Sequence, residues 1–198
     1  MPERRGSPRP RRARTVTKRR PGGGVRKPAG RDRRPVRILF LDVDGTLTDG
    51  RITFDAEGDA RHFWVRDGIA LEWARELGLL PVVISGRDSR AVEARMRDLR
   101  LESYLGAKDK VAVAERVLAR ERVSWEDCAM VGDDLPDVAL MKRVGWPIAV
   151  GDAHPEVRRV ARIVVRSAGG RGAVREAVER LLAHNGVWDS ILRRYGAR

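Results

Sequence analysis

The sequence lacks several features on which other classes of protein depend. Its 198 residues contain one cysteine, Cys128, so no disulfide can form within the chain, and a reducing cytoplasm is compatible with it. No apolar run approaches the roughly 20 residues that cross a membrane, and no apolar stretch resembles a secretory signal. These absences argue against a disulfide scaffold and a helical membrane protein, and we expect a cytoplasmic location.

Acidic residues are scarce at one end of the chain. Residues 1–34 contain fourteen Arg and Lys but only Glu3 and Asp32, a net charge of +12 out of the formal +13 of the whole chain. The segment is rich in Pro and Gly and almost free of large apolar residues, so we predict a disordered basic extension. Such a composition allows nucleic-acid binding, but the segment has no aromatic residue on which bases could stack. We therefore favour a solvated extension.

From Pro35 onward, short apolar strands alternate with helical patterns. The predicted strands are 36–43, 81–84, 103–105, 128–131, 147–150 and 163–165, and the predicted helices are 67–77, 89–99, 110–120, 136–144 and 171–185. A β-hairpin is predicted over about 51–65, with strands 51–54 and 61–65. This alternation is typical of an α/β fold with a Rossmann-like, doubly wound parallel sheet. We place the core domain at 35–186 and a C-terminal tail at 187–198.

Two aspartates stand where the first predicted strand ends. Because side chains alternate along a strand, Asp42 and Asp44 point to the same side. Two carboxylates at the end of a buried strand are costly without a cation, and a hard divalent ion such as Mg²⁺ suits their oxygen atoms. An ordinary Asp-Gly turn is the alternative, so this pair alone does not decide the function.

Three further polar clusters follow predicted strand ends in the same way. Ser85 follows strand 81–84, Lys110 opens the helix after strand 103–105, and Asp133-Asp134-x-x-Asp137 follows strand 128–131. The carboxyl ends of parallel strands share the edge of the sheet at which α/β folds bind ligands. In this order, the four clusters resemble the motifs of the haloacid-dehalogenase-like phosphohydrolases.

The resemblance implies a role for each of these side chains. Asp42 attacks phosphorus and forms an aspartyl-phosphate, whereas Asp44 protonates the leaving oxygen and then activates water. Mg²⁺ is held by Asp42, by Asp133 and by the backbone carbonyl of Asp44. Ser85 binds a phosphoryl oxygen, and Lys110 offsets the developing negative charge.

The remaining members of the clusters support this machinery. The resemblance implies that Asp134 and Asp137 do not bind the metal themselves but orient Lys110. Lys108 competes with Lys110 for the catalytic lysine position. We prefer Lys110, because Asp109-Lys110 opens the predicted helix as in the family pattern.

The intervals between the clusters are too short for a cap domain. Between 42 and 85 there is room for the hairpin and one helix, and between 85 and 110 for one helix and a short strand. Members of the superfamily usually insert a cap in one of these intervals, so here the β-hairpin stands in place of a cap domain. Since the site needs a cover against water, either a macromolecular substrate or a neighbouring subunit supplies it.

Further motifs narrow the resemblance to the 3-deoxy-D-manno-octulosonate 8-phosphate phosphatase family over about residues 36–189. The motifs are Thr48-Asp49-Gly50, Val65-Arg66-Asp67-Gly68, Ser85-Gly86-Arg87, Gly132-Asp133-Asp134-Leu135-Pro136-Asp137 and Gly169-Gly170-Arg171-Gly172-Ala173-Val174-Arg175-Glu176. The resemblance implies a homotetramer in which the hairpin of one subunit covers the active site of the next. It also implies that the tail, 188–198, reaches the active site of a neighbouring subunit. It also implies an acidic sugar phosphate as substrate, bound by Arg66, Arg87, Gly86, Gly169, Gly170 and Gly172.

Two other functions stay open at this point. Phosphatases of nonulosonate 9-phosphates, or of other sugar phosphates, share the scaffold, although that sister group usually has glutamate where Arg87 stands. Trp64 and Leu105 also depart from the residues common in the octulosonate family. A nucleic-acid-associated phosphatase guided by the basic extension is the second alternative, because a site without a cap would admit a polynucleotide end.

Overall fold

The structure, a computed structural model, describes residues 34–56 and 58–198. Except for Arg34, the predicted basic extension of residues 1–34 lies outside the described residues. The strands are β1 (Ile38–Leu41), β2 (Thr53–Asp55), β3 (Gly58–Ala60), β4 (Leu80–Ile84), β5 (Glu102–Tyr104), β6 (Cys128–Gly132), β7 (Trp146–Ala149) and β8 (Ile163–Val164).

Six of these strands form one parallel sheet in the order β5-β4-β1-β6-β7-β8. β1 lies between β4 and β6, with Ile38 opposite Leu80 on one side and Cys128 on the other. All residues of β1 and β6 are buried, as expected for parallel strands that helices cover on both faces. The predicted Rossmann-like, doubly wound sheet is confirmed.

The helices are α1 (Val65–Glu76), α2 (Arg90–Asp98), α3 (Lys110–Glu121), α4 (Val138–Met141), α5 (Pro155–Val160), α6 (Ala173–His184) and α7 (Trp188–Arg194), with 3₁₀ turns at Trp125–Asp127 and Leu135–Asp137. Ser89 begins α2, because its Oγ accepts a hydrogen bond from the Val92 N–H at 3.2 Å. Asp109 begins α3 in the same way, with Oδ1 accepting from two N–H groups at 3.0 Å. Lys110 is thereby placed at the first helical position.

Two helices were not predicted from the sequence. α5 has Pro155 at its start, a signal that the sequence carries. α7 lies in the segment assigned to the C-terminal tail, where Ile191 is buried and the Trp188 ring lies 5.9 Å from that of Trp73 in α1. Within the described part of the chain, no helix is both long and apolar enough to cross a membrane.

The hairpin is present but shorter than predicted. β2 and β3 pair in antiparallel fashion, with Thr53 opposite Ala60. The second strand predicted at 61–65 is wrong, because the pairing ends at Ala60 and Val65 already begins α1. Arg61 therefore follows the ladder instead of starting it, and its side chain is fully buried.

A buried carboxylate, Asp67, joins α1 to the start of α6. Its Oδ1 accepts a hydrogen bond from the Arg175 N–H at 2.7 Å, whereas Oδ2 has no partner among the described residues. Burial raises the pKa of Asp67 to about 6, although hydrogen bonds from the backbone of α6 counteract it.

We expect Asp67→Asn to change how stability depends on pH. A raised folded-state pKa favours folding below the unfolded value of 3.8, and this contribution is lost as the pH rises through about 6. Asn carries no charge and does not lose this contribution. The free energy of unfolding of the variant should therefore rise by about 2 kcal/mol relative to that of the wild type as the pH increases from 4 to 7. Urea unfolding at several pH values measures the difference. Parallel stability curves for the two proteins would contradict the prediction.

Candidate active site

The carboxyl ends of three adjacent strands bring together side chains that are far apart in the sequence. Asp42 follows β1, Ser85 follows β4 and Asp133 follows β6. Because the three strands are parallel and neighbouring, these residues meet at one edge of the sheet. Asp42 is held in register there, since its N–H donates to the Val131 carbonyl at 3.1 Å.

Lys110 connects two carboxylates at this edge. Its Nζ donates to Asp42 Oδ1 at 2.5 Å and to Asp137 Oδ1 at 2.7 Å, and all three residues are buried. Burial acts to lower the pKa of Lys110, but the two carboxylates outweigh it and raise that pKa above its ordinary value. Lys110 therefore stays charged. Lys108 is exposed, and the geometry favours Lys110 as the catalytic lysine.

Both carboxylate oxygens of Asp137 are held by the protein itself. Oδ1 accepts from Lys110, and Oδ2 accepts from the N–H groups of Asp133 at 3.0 Å and Asp134 at 3.4 Å. These contacts support the predicted role of Asp137 in orienting Lys110. Asp134 is exposed, and it joins the 3₁₀ turn at Leu135–Asp137 through its backbone carbonyl, which accepts a hydrogen bond from the Asp137 N–H at 3.0 Å.

Three carboxylates form a candidate metal centre. Ligand oxygens of Asp42, Asp133 and Asp137 lie within 4.8 Å of one another. Burial raises the pKa of both Asp42 and Asp133, and repulsion between the neighbouring carboxylates raises them further. A buried cluster with raised pKa values is short of positive charge, and its all-oxygen donor set fits a hard cation such as Mg²⁺. Because both oxygens of Asp137 accept hydrogen bonds from the protein, whereas Asp42 shares only Oδ1 with Lys110, Asp42 and Asp133 are the better placed ligands.

The side chain of Asp44 points to two arginines instead of to this cluster. Arg61 Nε donates to Asp44 Oδ1 at 2.6 Å, and Arg87 Nε lies 3.6 Å from Oδ2. Sequence reasoning missed Arg61, since its position after the hairpin carries no motif that points to the site. The metal contact predicted for Asp44 involves its backbone carbonyl, not its carboxylate. That contact stays a prediction.

A pocket of about 510 Å³ opens beside these groups. It is lined by Asp42, Asp44, Ser85, Gly86, Arg87, Lys110, Asp134, Pro136 and Asp137. Ser85 is buried at the end of β4, where its Oγ accepts a hydrogen bond from the Arg87 N–H at 3.2 Å. The structure thus brings the predicted catalytic residues, and two of the predicted substrate-binding residues, to one cavity of a size that suits a small ligand.

The predicted glycine segment lies against the loop that follows Asp44. The Gly170 N–H donates to the Thr46 carbonyl at 3.0 Å, and a Cβ on Gly169 would overlap the Gly45 carbonyl oxygen. A Cβ on Gly172 would lie 3.7 Å from Trp64 Nε1. Gly169 and Gly170 therefore permit a close approach to the protein's own backbone, and the contact of the three glycines with substrate stays a prediction.

We expect Gly169→Ala to destabilise the protein by about 3 kcal/mol, because a methyl group without space forces the Gly45 loop to move. Turnover should fall with stability, since that loop carries Asp44. Gly186→Ala is a matched control: its Cβ would contact nothing within 4 Å, but φ is +75°, so conformational strain alone costs about 1 kcal/mol. Equal losses for the two variants in urea unfolding would contradict a close-packing role for Gly169.

Arg66 does not join the pocket of Asp42 within one chain. It is exposed and lines a second cavity of about 530 Å³ between α1, α6 and α7, together with Trp73, Arg175 and Trp188. Its predicted contact with substrate would therefore require a neighbouring subunit or a rearrangement.

Known proteins are similar to this chain in sequence and in fold. Residues 106–177 match the model of the haloacid dehalogenase-like hydrolase family. The chain is 40% identical over 156 residues to the 3-deoxy-D-manno-octulosonate 8-phosphate phosphatase KdsC of Escherichia coli K12, covering 78% of this chain and 83% of that one. The chain belongs to the haloacid dehalogenase-like hydrolases. KdsC of Salmonella typhi is 39% identical to this hydrolase over the same length.

Solved structures resemble the hydrolase along most of its length. The phosphatase of Moraxella catarrhalis, solved with a magnesium ion, a phosphate ion and a KDO molecule, has a TM-score of 0.79 at 30% identity and covers 82% of this chain and 95% of its own. The 3-deoxy-D-manno-octulosonate 8-phosphate phosphatase of Yersinia pestis has a TM-score of 0.77 at 34% identity, covering 79% and 86%.

Proposed function

We propose that this hydrolase is a Mg²⁺-dependent phosphomonoesterase that converts 3-deoxy-D-manno-octulosonate 8-phosphate to the free sugar acid and phosphate, a step of lipopolysaccharide precursor synthesis. The proposal is carried by the pocket at which Lys110 joins Asp42 and Asp137, in a chain 40% identical to KdsC of Escherichia coli over most of its length.

The reaction proceeds in two displacements at phosphorus. First, an Asp42 oxygen forms a bond to phosphorus while the bond between phosphorus and the sugar oxygen breaks, and Asp44 gives its proton to that oxygen. Water then attacks phosphorus and gives a proton to Asp44, and the bond from Asp42 to phosphorus breaks to release phosphate. Two easier steps thus replace one difficult step.

The protein must offset negative charge in both displacements. Lys110, fixed between Asp42 and Asp137, stabilises charge on the phosphoryl oxygens, and Ser85 donates a hydrogen bond to them. Asp42, Asp133 and the Asp44 carbonyl would hold Mg²⁺, which when bound neutralises the carboxylates and polarises the phosphoryl group. Raised pKa values at Asp42 and Asp133 support this requirement for a cation.

Arg87 supports an acidic sugar as substrate. It lines the same pocket as Asp42 and Gly86, and its guanidinium is suited to a carboxylate because it can donate two parallel hydrogen bonds. A nonulosonate 9-phosphate carries the same acidic group, so a substrate panel has to separate the two sugars.

The exposed hairpin supports a homotetramer as the working form. Phe54 on β2 is 72% exposed and Val65 at the start of α1 is 70% exposed, and apolar groups of this kind are typical of interaction surfaces. We expect a mass of four chains in analytical ultracentrifugation and a shift to smaller species for Phe54→Asp. A monomeric wild type would overturn the tetramer. A cytoplasmic location is proposed with this function.

Phosphate release from a panel of substrates tests the function. The full chain and residues 35–198 are each assayed with Mg²⁺ on octulosonate 8-phosphate, nonulosonate 9-phosphate and end-phosphorylated oligonucleotides. We expect the highest kcat/KM on octulosonate 8-phosphate, lost on chelation and unchanged without residues 1–34. Preference for the nine-carbon sugar would correct the substrate, and activity on oligonucleotides alone, lost with the extension, would overturn the proposal.

A further inference from the structure

Arg61 occupies an unusual position for an arginine. Its side chain has no exposed surface, although it belongs to the end of an exposed hairpin. It contacts three elements: the hairpin itself, the start of α2 and the loop that carries Asp44. A buried guanidinium is costly unless carboxylates and hydroxyls surround it, and these contacts supply them.

The contacts of Arg61 fix its guanidinium from two sides. Nη1 donates to Ser89 Oγ at 2.6 Å and to the Asp59 carboxylate. Ser89 is itself fixed, because it caps α2. Nε then donates to Asp44 Oδ1 at 2.6 Å. Arg61 is therefore anchored by the hairpin and α2, and it presents one N–H to Asp44.

Asp44 is less constrained by other groups. It lies beyond the end of β1 and its side chain is 25% exposed. Its second oxygen, Oδ2, faces Arg87 Nε at 3.6 Å, which is too long for a hydrogen bond, and Arg87 is mostly exposed. Arg61 is thus the firm side-chain contact of Asp44, whereas Oδ2 keeps only the longer ion pair with Arg87.

The arrangement around Arg61 is not optimal for stability. Its Nη2 is buried and has no hydrogen-bond partner in the described part of the chain, and a buried donor without a partner destabilises the folded state. The guanidinium is the group that can reach Ser89, Asp59 and Asp44 together.

We propose that Arg61 is a positioning residue that orients Asp44 for proton transfer and couples that orientation to the β2–β3 hairpin. The inference rests on the proposed function only for the role of Asp44. Arg61 touches neither phosphorus nor the leaving group; it acts by holding Oδ1, so that Oδ2 faces the oxygen that departs from phosphorus.

The dependence of the rate on the leaving group tests this role. A departing alkoxide must receive the proton of Asp44, whereas p-nitrophenolate departs without it. We therefore expect Arg61→Met to lower kcat/KM by about 100-fold on alkyl phosphates, as misplacing a reacting group by 1 Å can do. On p-nitrophenyl phosphate the loss should be several-fold, with KM little changed. Arg61→Lys should restore part of the activity, because its ammonium keeps a charge near Asp44.

Arg51→Met is the matched control, because Arg51 is an exposed arginine beside the same hairpin and should behave as the wild type on both kinds of phosphate. Equal losses for Arg61→Met on both substrates would indicate a general structural role and overturn the inference. An unchanged rate on alkyl phosphates would overturn it as well.

A crystal structure of Arg61→Met separates this inference from the proposed function. We expect the Asp44 carboxylate to leave its position by about 1 Å or more, beyond the tolerance of a catalytic group. An Asp44 that stays in place refutes the positioning role whatever the substrate is. A wild type without phosphatase activity refutes the proposed function, but the displacement of Asp44 can still be measured.

Discussion

Asp42→Asn should abolish turnover, by about 10⁵-fold or more, the scale of loss seen when an enzyme loses its nucleophile. The amide of Asn cannot form the bond to phosphorus that the carboxylate forms, and it is a poorer metal ligand. Neither Asp44 nor Lys110 can substitute, because each has a different task in the displacement. Initial rates on octulosonate 8-phosphate and on p-nitrophenyl phosphate should fall together, since both substrates need the nucleophile.

The same substitution should leave the fold intact. Burial and repulsion from Asp137 raise the pKa of Asp42, so its charge opposes folding at neutral pH, and removing that charge relieves the cluster. We expect a melting temperature at least equal to that of the wild type in the absence of metal. Asp98→Asn, which neutralises an exposed carboxylate on α2, is the control and should keep full activity. Substantial residual turnover by Asp42→Asn would remove Asp42 as the nucleophile.

Lys110→Met should damage both stability and catalysis. Without its ammonium group, the buried carboxylates of Asp42 and Asp137 lose their shared cation, and breaking a buried ion pair in this way costs about 3–5 kcal/mol. Turnover should fall by about 10²–10³-fold, as for the loss of one group that stabilises charge in the transition state. Urea unfolding and steady-state rates at neutral pH measure the two effects.

The stability loss of Lys110→Met should depend on pH in a defined direction. Removing the cation raises the pKa of Asp42 further in the folded state, so the folded variant binds protons more tightly than the unfolded chain. The deficit against the wild type should therefore shrink as the pH falls and these carboxylates become neutral. Lys108→Met, at the exposed lysine two residues earlier, is the control. A larger effect for Lys108→Met than for Lys110→Met would reverse the assignment of the two lysines.

Most of the sheet could be predicted because its strands are short apolar runs that end in polar residues. Buried parallel strands have to be apolar on both faces, so β1, β4 and β6 stand out without an alignment. The hairpin was predicted less accurately, since Arg61–Val65 is more strand-prone in composition than the Gly58–Ala60 segment that forms β3. Pairing with Thr53–Asp55 decided the register, and that is a property of two segments together.

The sequence by itself determined which polar residues meet at one edge of the sheet, and its resemblance to the haloacid dehalogenase-like phosphohydrolases indicated the reaction type. Asp42, Asp44, Ser85, Lys110 and Asp133 each follow a strand or open a helix in an order that points to one edge of a parallel sheet. The physical reason is that parallel strands deliver their carboxyl ends to the same place, so linear order already implies proximity.

Only the tertiary structure decided which groups hold these residues in place. Asp137 was identified from its spacing in the sequence. That one of its oxygens accepts from Lys110 and the other from the Asp133 N–H depends on how α3 packs against the end of β6. Arg61 lies 17 residues after Asp44, and no periodicity links the two. In the sequence, Gly169 and Gly170 are separated from the Gly45 loop by most of the length of the domain, although they contact it in the fold. Contacts between such distant segments arise from packing, which local sequence patterns do not encode.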